Sequence, residues 1–109
     1  MRNENKYQAG LIDRIKDRFG GCIVLKNDPR YIRGIPDLLV LHNDKWAALE
    51  TKREKNASRR PLQGYYVKRM NQMSYASFIS PENEEDVLDE MDKAFATRRT
   101  THVSRRKQA

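Results

Sequence analysis

A chain of 109 residues, 38% hydrophobic and 34% charged, has room for one domain with one modest core and is too apolar for a disordered chain. No apolar run approaches the ~18 residues that cross a bilayer, the opening MRNENKYQAG lacks the apolar stretch of a signal peptide, and a single cysteine excludes an intrachain disulfide, so a cytoplasmic setting is expected. The net charge of +7 is the footprint of a polyanion binder, or of a surface charged only for solubility.

Along the chain, Leu11, Ile12, Ile15 and Phe19 recur at helical spacing, with Asn3 placed to cap the helix and Gly20-Gly21 to end it. CIVLK, short and β-branched, reads as a strand with Cys22 as a small core residue. NDPRYIRGIP, with two prolines and a glycine, reads as a loop. Two strands follow, about residues 37–42 and 46–52, joined at Asn43-Asp44, a pair that tolerates the positive φ of a tight hairpin turn. EKNASRRPLQ is a polar loop in which Ser58 is a candidate cap for a helix beginning near Pro61. Along that helix Leu62, Tyr65 or Tyr66, Arg69 or Met70, and Met73 form a stripe read as packing residues. SYASFIS is a fourth strand. Pro81 and the acids after it suit a helix start, and Val87, Leu88, Met91 and Phe95 give that helix its apolar face.

Charge is unevenly spread. Residues 82–92 hold seven acids and no base, read as a solvated face or as a surface for the basic side of a second subunit. The tail, residues 97–109, carries Arg98, Arg99, Arg105, Arg106 and Lys107 with no acid and is expected to be disordered, adding a salt-sensitive contribution to polyanion binding. His42 and His102 have no partners at ligand spacing and receive no catalytic or metal role.

The element order, helix, three strands, helix, strand, helix, predicts one α/β domain over residues 1–96, with a mixed central sheet and helices on both of its faces. Strands three and four, linked through a helix, are expected to run parallel with a right-handed crossover.

A hairpin turning symmetrically about Asn43-Asp44 places Asp37 directly across from Glu50, with Lys52 on the same face one step further along. Opposed side chains have Cβ atoms about 4.5–5.5 Å apart, and like charges there are destabilising. The two acids can splay into water, one of them can hold a proton, or a cation can bridge them. The last option suits Mg²⁺, which takes one or two carboxylates, keeps several waters and leaves room for phosphates. Lys52 is then placed to orient a water or to stabilise developing negative charge, or else it simply neutralises its neighbours. A loop of three or five residues would break the pairing.

GIPDLLV followed by ALETKRE resembles the PD-(D/E)XK nuclease superfamily, the motif here being Pro36-Asp37 and Glu50-Thr51-Lys52. The leading helix with an early acid, the glycine two residues before Pro36, and the glutamine soon after SRRPL resemble its VRR-NUC type, over about residues 4–80. Such domains occur in bacteriophage proteins and DNA repair nucleases. The resemblance implies a restriction-endonuclease-like αβββαβ core plus a C-terminal helix. It implies Mg²⁺ or Mn²⁺ held by Asp37, Glu50, the Thr51 carbonyl and an acid on the leading helix, for which Glu4 is the candidate and Gln8 its rival. It makes Lys52 the catalytic lysine and Gln63 an active-site glutamine.

These residues together predict a metal-dependent DNA endonuclease selective for branched or nicked DNA in a bacterial or phage-infected cell. Arg30, Arg33, Lys55, Arg59 and Arg60 are the expected phosphate contacts, which position a duplex without reading its bases. A homodimer would set two sites across a Holliday junction, as resolvases of the superfamily do. A noncatalytic DNA-binding module and a protein-interaction factor retaining the fold are the two competing readings.

Overall fold

The computed structural model describes residues 3–96 and the side chains of residues 4–96. The basic tail, His102 and the capping side chain of Asn3 lie outside the described residues.

The elements follow in the expected order: α1 (Asn3–Arg18), β1 (Ile23–Lys26), β2 (Leu38–His42), β3 (Lys45–Thr51), α2 (Pro61–Met73), β4 (Tyr75–Ile79) and α3 (Glu84–Ala96). The strands form one mixed sheet in the order β1-β2-β3-β4. The first two pairings are antiparallel, as short connections allow, and β3 pairs with β4 in parallel, as a helical connection permits. The hairpin turns on Asn43 at φ 58°, a left-handed conformation that asparagine tolerates better than other residues with a side chain. Its register runs from His42 opposite Lys45 to Leu38 opposite Leu49. Asp37 directly precedes β2 and Glu50 directly follows Leu49, beyond the last pair of this ladder, and the Thr51 N–H reaches the Asp37 carboxylate at 3.0 Å.

Alternation along the strands sorts the two faces of the sheet. Leu38 and Val40 of β2 and Ala47 and Leu49 of β3 are fully buried and join one apolar cluster with Leu11, Ile15 and Phe19 of α1 and Val87, Leu88, Met91 and Phe95 of α3. Burying each large aliphatic side chain contributes roughly 1.5–3 kcal/mol, and this face holds most of the domain's core. Cys22 packs against its edge. His42 lies against Phe19 and Phe95, with ring centroids 5.8 and 5.1 Å away.

The acidic segment is not simply a solvated face. Arg14 of α1 donates to Glu84, and Arg18 donates to Glu85, Asp89 and Asp92 of α3. The helices that share the core also share an ion-pair seam at their rim, so these acids find their cations within the same chain.

α2 covers the other face, chiefly over β3 and β4, where small Ala48 and Ala76 let it approach. No residue of α2 is fully buried: of the stripe read as packing, Tyr66 and Met70 are half-buried, whereas Leu62, Tyr65 and Met73 are exposed. A helix resting on alanines over half a sheet needs few apolar contacts. Its start also differs from expectation. Arg60, not Ser58, occupies the cap position, and the Arg60 backbone N–H donates to Gln63 Oε1 at 3.0 Å. Among the described residues no helix is long and apolar enough to cross a membrane.

Candidate metal centre and cleft

Asp37 is held in place through the backbone on either side of it. The Asn27 N–H donates to the Asp37 carbonyl at 2.8 Å, and Asn27 Nδ2 donates to the carbonyl of buried Pro36, also at 2.8 Å. The Asp37 carboxylate accepts two hydrogen bonds at Oδ2, from the Thr51 N–H at 3.0 Å and the Thr51 hydroxyl at 2.6 Å. Gln8 of α1 donates to that hydroxyl oxygen at 3.1 Å. One residue of β3 thereby links α1 to the aspartate and keeps one carboxylate oxygen occupied.

Glu50 emerges on the α2 side of the sheet and is only 2% exposed. Its Oε2 accepts from Gln63 Nε2 at 3.0 Å. The same glutamine accepts at Oε1 from Lys52 Nζ, 2.9 Å away, while Nζ lies 4.0 Å from Glu50 Oε2. Gln63 thus sits between acid and lysine, and its bond to the Arg60 N–H locks its own position at the helix start. Glu50 Oε1 is buried with no hydrogen-bond partner. Burial, and next the charge of Asp37, push this carboxyl up to about 8, against the opposing pull of Lys52 and of a backbone hydrogen bond from Asp37, with Glu4 adding a further push upward.

A buried carboxylate with one oxygen lacking a donor and a second acid close by is costly to ionise. A carboxyl driven up to about 8 holds a proton at neutral pH unless a cation takes its place, and two carboxylates with room for water and phosphate oxygens are a donor set that suits a hard ion. Among the described residues there is no group of three or more His, Cys, Asp or Glu placed to hold a metal. Thr51 enters through its N–H and hydroxyl, as the residue that orients Asp37. Glu4 contributes through its charge, and the side chain of Gln8, its rival, makes the direct bond to Thr51.

Both acids line a cleft of about 710 Å³. One wall is the loop carrying Arg30 and Arg33, and the other is the start of α2 from Arg60 to Gln63. The walls meet at Gly34, whose φ is +86°. A Cβ there would lie 2.5 Å from Leu62 Cβ and 2.9 Å from its carbonyl carbon, so only glycine lets the loop close onto the helix. Of the five basic residues expected to contact phosphate, Arg30, Arg33 and Arg60 share this cleft. Lys55 and Arg59 do not. They border a separate shallow depression that Lys52 also reaches, with the Arg59 guanidinium stacked 3.9 Å over the Phe78 ring.

Asn27 and the Gly34–Leu62 contact are the parts of the site that pattern reading passed over. Asn27 had one visible signal, a side-chain amide at the end of a strand entering a proline-rich loop.

Fold and site together define an α/β domain with a carboxylate pair at the end of a parallel–antiparallel sheet. The chain has the fold of a VRR_NUC domain: a solved structure described in those words matches it with a TM-score of 0.63 and 24% sequence identity, covering 82% of this chain and 97% of the other. No family model matches the chain, and no curated protein does.

Proposed function

We propose that this chain is a metal-dependent DNA endonuclease that hydrolyses phosphodiester bonds and favours branched or nicked DNA. The observation that carries the reading is the buried, unpartnered Glu50 oxygen in a carboxyl that feels the charge of Asp37, both residues lining a cleft with Arg30, Arg33 and Arg60. The likeness to a VRR_NUC domain supports it at the level of fold.

A Mg²⁺ or Mn²⁺ ion at Asp37 and Glu50 would supply charge stabilisation at the phosphoryl oxygen and lower the pKa of a water. The chain's own residues do the rest. Arg33 and Arg60 hold backbone phosphates, fixing the register of the strand in the cleft. Lys52, whose ammonium already spends one hydrogen bond on Gln63, has donors left for the attacking water or for charge developing on the phosphate. Gln63 keeps that ammonium from collapsing onto Glu50, 4.0 Å away, and so keeps the carboxylate available. Water adds to phosphorus, the ester P–O bond breaks, and the leaving oxygen takes a proton.

The test is direct: purified protein with linear, nicked, single-stranded and four-way DNA, each in Mg²⁺, Mn²⁺ or EDTA. Cutting in either metal, absent in EDTA and strongest on nicked or four-way DNA, is expected. Tight binding without cutting in both metals would make the chain a noncatalytic binding module instead.

A further inference from the structure

Tyr31 is 86% exposed, in the loop that forms one wall of the cleft. A single exposed aromatic side chain is ordinary; what distinguishes this one is where the chain puts it. It lies between Arg30 and Arg33, both of which line the cleft beside Asp37 and Glu50. The loop that carries it is built, not loose. The Tyr31 N–H donates to the Asp28 carbonyl at 3.1 Å, and the Asp28 carboxylate holds both the backbone and the guanidinium of Arg30. Gly34 anchors the far end against Leu62. Arg30 is neutralised by Asp28, whereas Arg33 makes no ion pair among the described residues. The loop therefore offers a cation toward the cleft and, two residues away, an aromatic ring toward solvent.

That pairing matches the two ends of a nucleotide, a phosphate for the guanidinium and a base for the ring. Within an intact duplex both faces of a base are covered by its neighbours, and a side chain gains no stacking. A base beside a gap, flap or junction has an open face.

We propose that Tyr31 is the specificity residue of the site, stacking on an unpaired base next to the phosphate held in the cleft and so selecting DNA with an interrupted stack. This rests on the nuclease reading above. It assigns the selectivity to one side chain rather than to the shape of the cleft.

Binding in EDTA separates recognition from cutting. The probes are an intact duplex and the same duplex with a one-nucleotide gap, with 2-aminopurine as the unpaired base. Wild-type protein should prefer the gapped duplex and quench the 2-aminopurine on binding. Tyr31→Ala should reduce the preference about tenfold and lose the quenching, while Tyr31→Phe keeps both. Tyr65→Ala removes another exposed tyrosine, on α2, and should behave as wild type. If Tyr31→Ala keeps preference and quenching, or Tyr65→Ala loses them equally, the assignment is overturned while cutting in Mg²⁺ still upholds the nuclease. A wild-type protein that neither binds nor cuts any of these DNAs sinks both.

Discussion

Carboxylates gather at two places in this molecule, on α3 and at the ends of β2 and β3. On α3 each acid of the seam meets a guanidinium. Glu84 takes two hydrogen bonds from Arg14, at 2.6 and 3.0 Å, and one from Tyr7 at 2.8 Å. Burial pushes the Glu84 carboxyl up, but these donors more than reverse it and leave it below the usual range. At the strand ends the arrangement is opposite. Glu50 is more deeply buried, faces another acid, keeps the one nearby ammonium at 4.0 Å, and is driven up to about 8. The α3 acids complete the fold with cations the chain provides. The strand-end acids are left short of positive charge, and that shortage is what a cation from solution can supply.

Four experiments break or sharpen this contrast. The largest effect belongs to the strand-end group: Asp37→Ala, Glu50→Ala or Lys52→Ala should each reduce cleavage by ~100-fold or more with DNA binding largely kept. Asp89→Ala on α3 should cut at the wild-type rate. Full activity of Glu50→Ala would erase the distinction between the two acidic regions.

Next is stability against pH. Glu50 has a folded pKa raised from 4.5 to about 8, so ionising it costs the folded state. That cost is absent below 4.5, where folded and unfolded chains both hold the proton, grows as pH rises toward 8, and is constant above it. Glu50→Gln keeps the acceptor for Gln63 and removes the charge. Its melting temperature should exceed the wild-type value by about 5 °C or more at pH 8.5, with the gap closing as the solution is acidified toward pH 4.5. Adding Mg²⁺ should raise the wild-type melting temperature, more at pH 8 than at pH 6, and leave Glu50→Gln nearly unmoved. A gap that does not vary with pH would mean that Glu50 is not strained by its surroundings.

Gly34→Ala comes third. Strain at φ +86° and the clash with Leu62 should cost about 1–3 kcal/mol in denaturant unfolding and slow cleavage by parting the cleft walls. A fully stable, fully active variant would show that loop and helix need not touch. Smallest is Arg18→Ala. Although Arg18 bridges three acids of α3, the pairs are partly exposed, and their loss should cost ~1 kcal/mol or less, fading at high salt, with cleavage unchanged.

Much of this was readable from local pattern. The period of Leu11, Ile15 and Phe19, the turn at Asn43 and the alternation through Leu38, Val40, Ala47 and Leu49 each follow from backbone geometry over a few residues. Together they set the register that brings Asp37 to Glu50, since a tight turn leaves a two-stranded ladder no freedom to slip. The same reasoning misjudged α2, because helical spacing tells which residues share a stripe and not how much of the sheet lies beneath it. It left the α3 acids without partners, because Arg14 and Arg18 are some seventy residues away in the chain.

The sequence by itself determined the order of the elements, the hairpin register and the acid, acid and lysine that converge on it, because these depend on short-range sterics and on periods of 2 and 3.6 residues. Only the tertiary structure decided that Thr51 holds Asp37 by its N–H and hydroxyl, that Gln63 separates Lys52 from Glu50, that Gly34 must be bare for Leu62, and that Lys55 and Arg59 stand apart from the cleft. Those outcomes depend on which surfaces meet when distant segments pack, and close packing admits an arrangement that no short stretch of chain encodes.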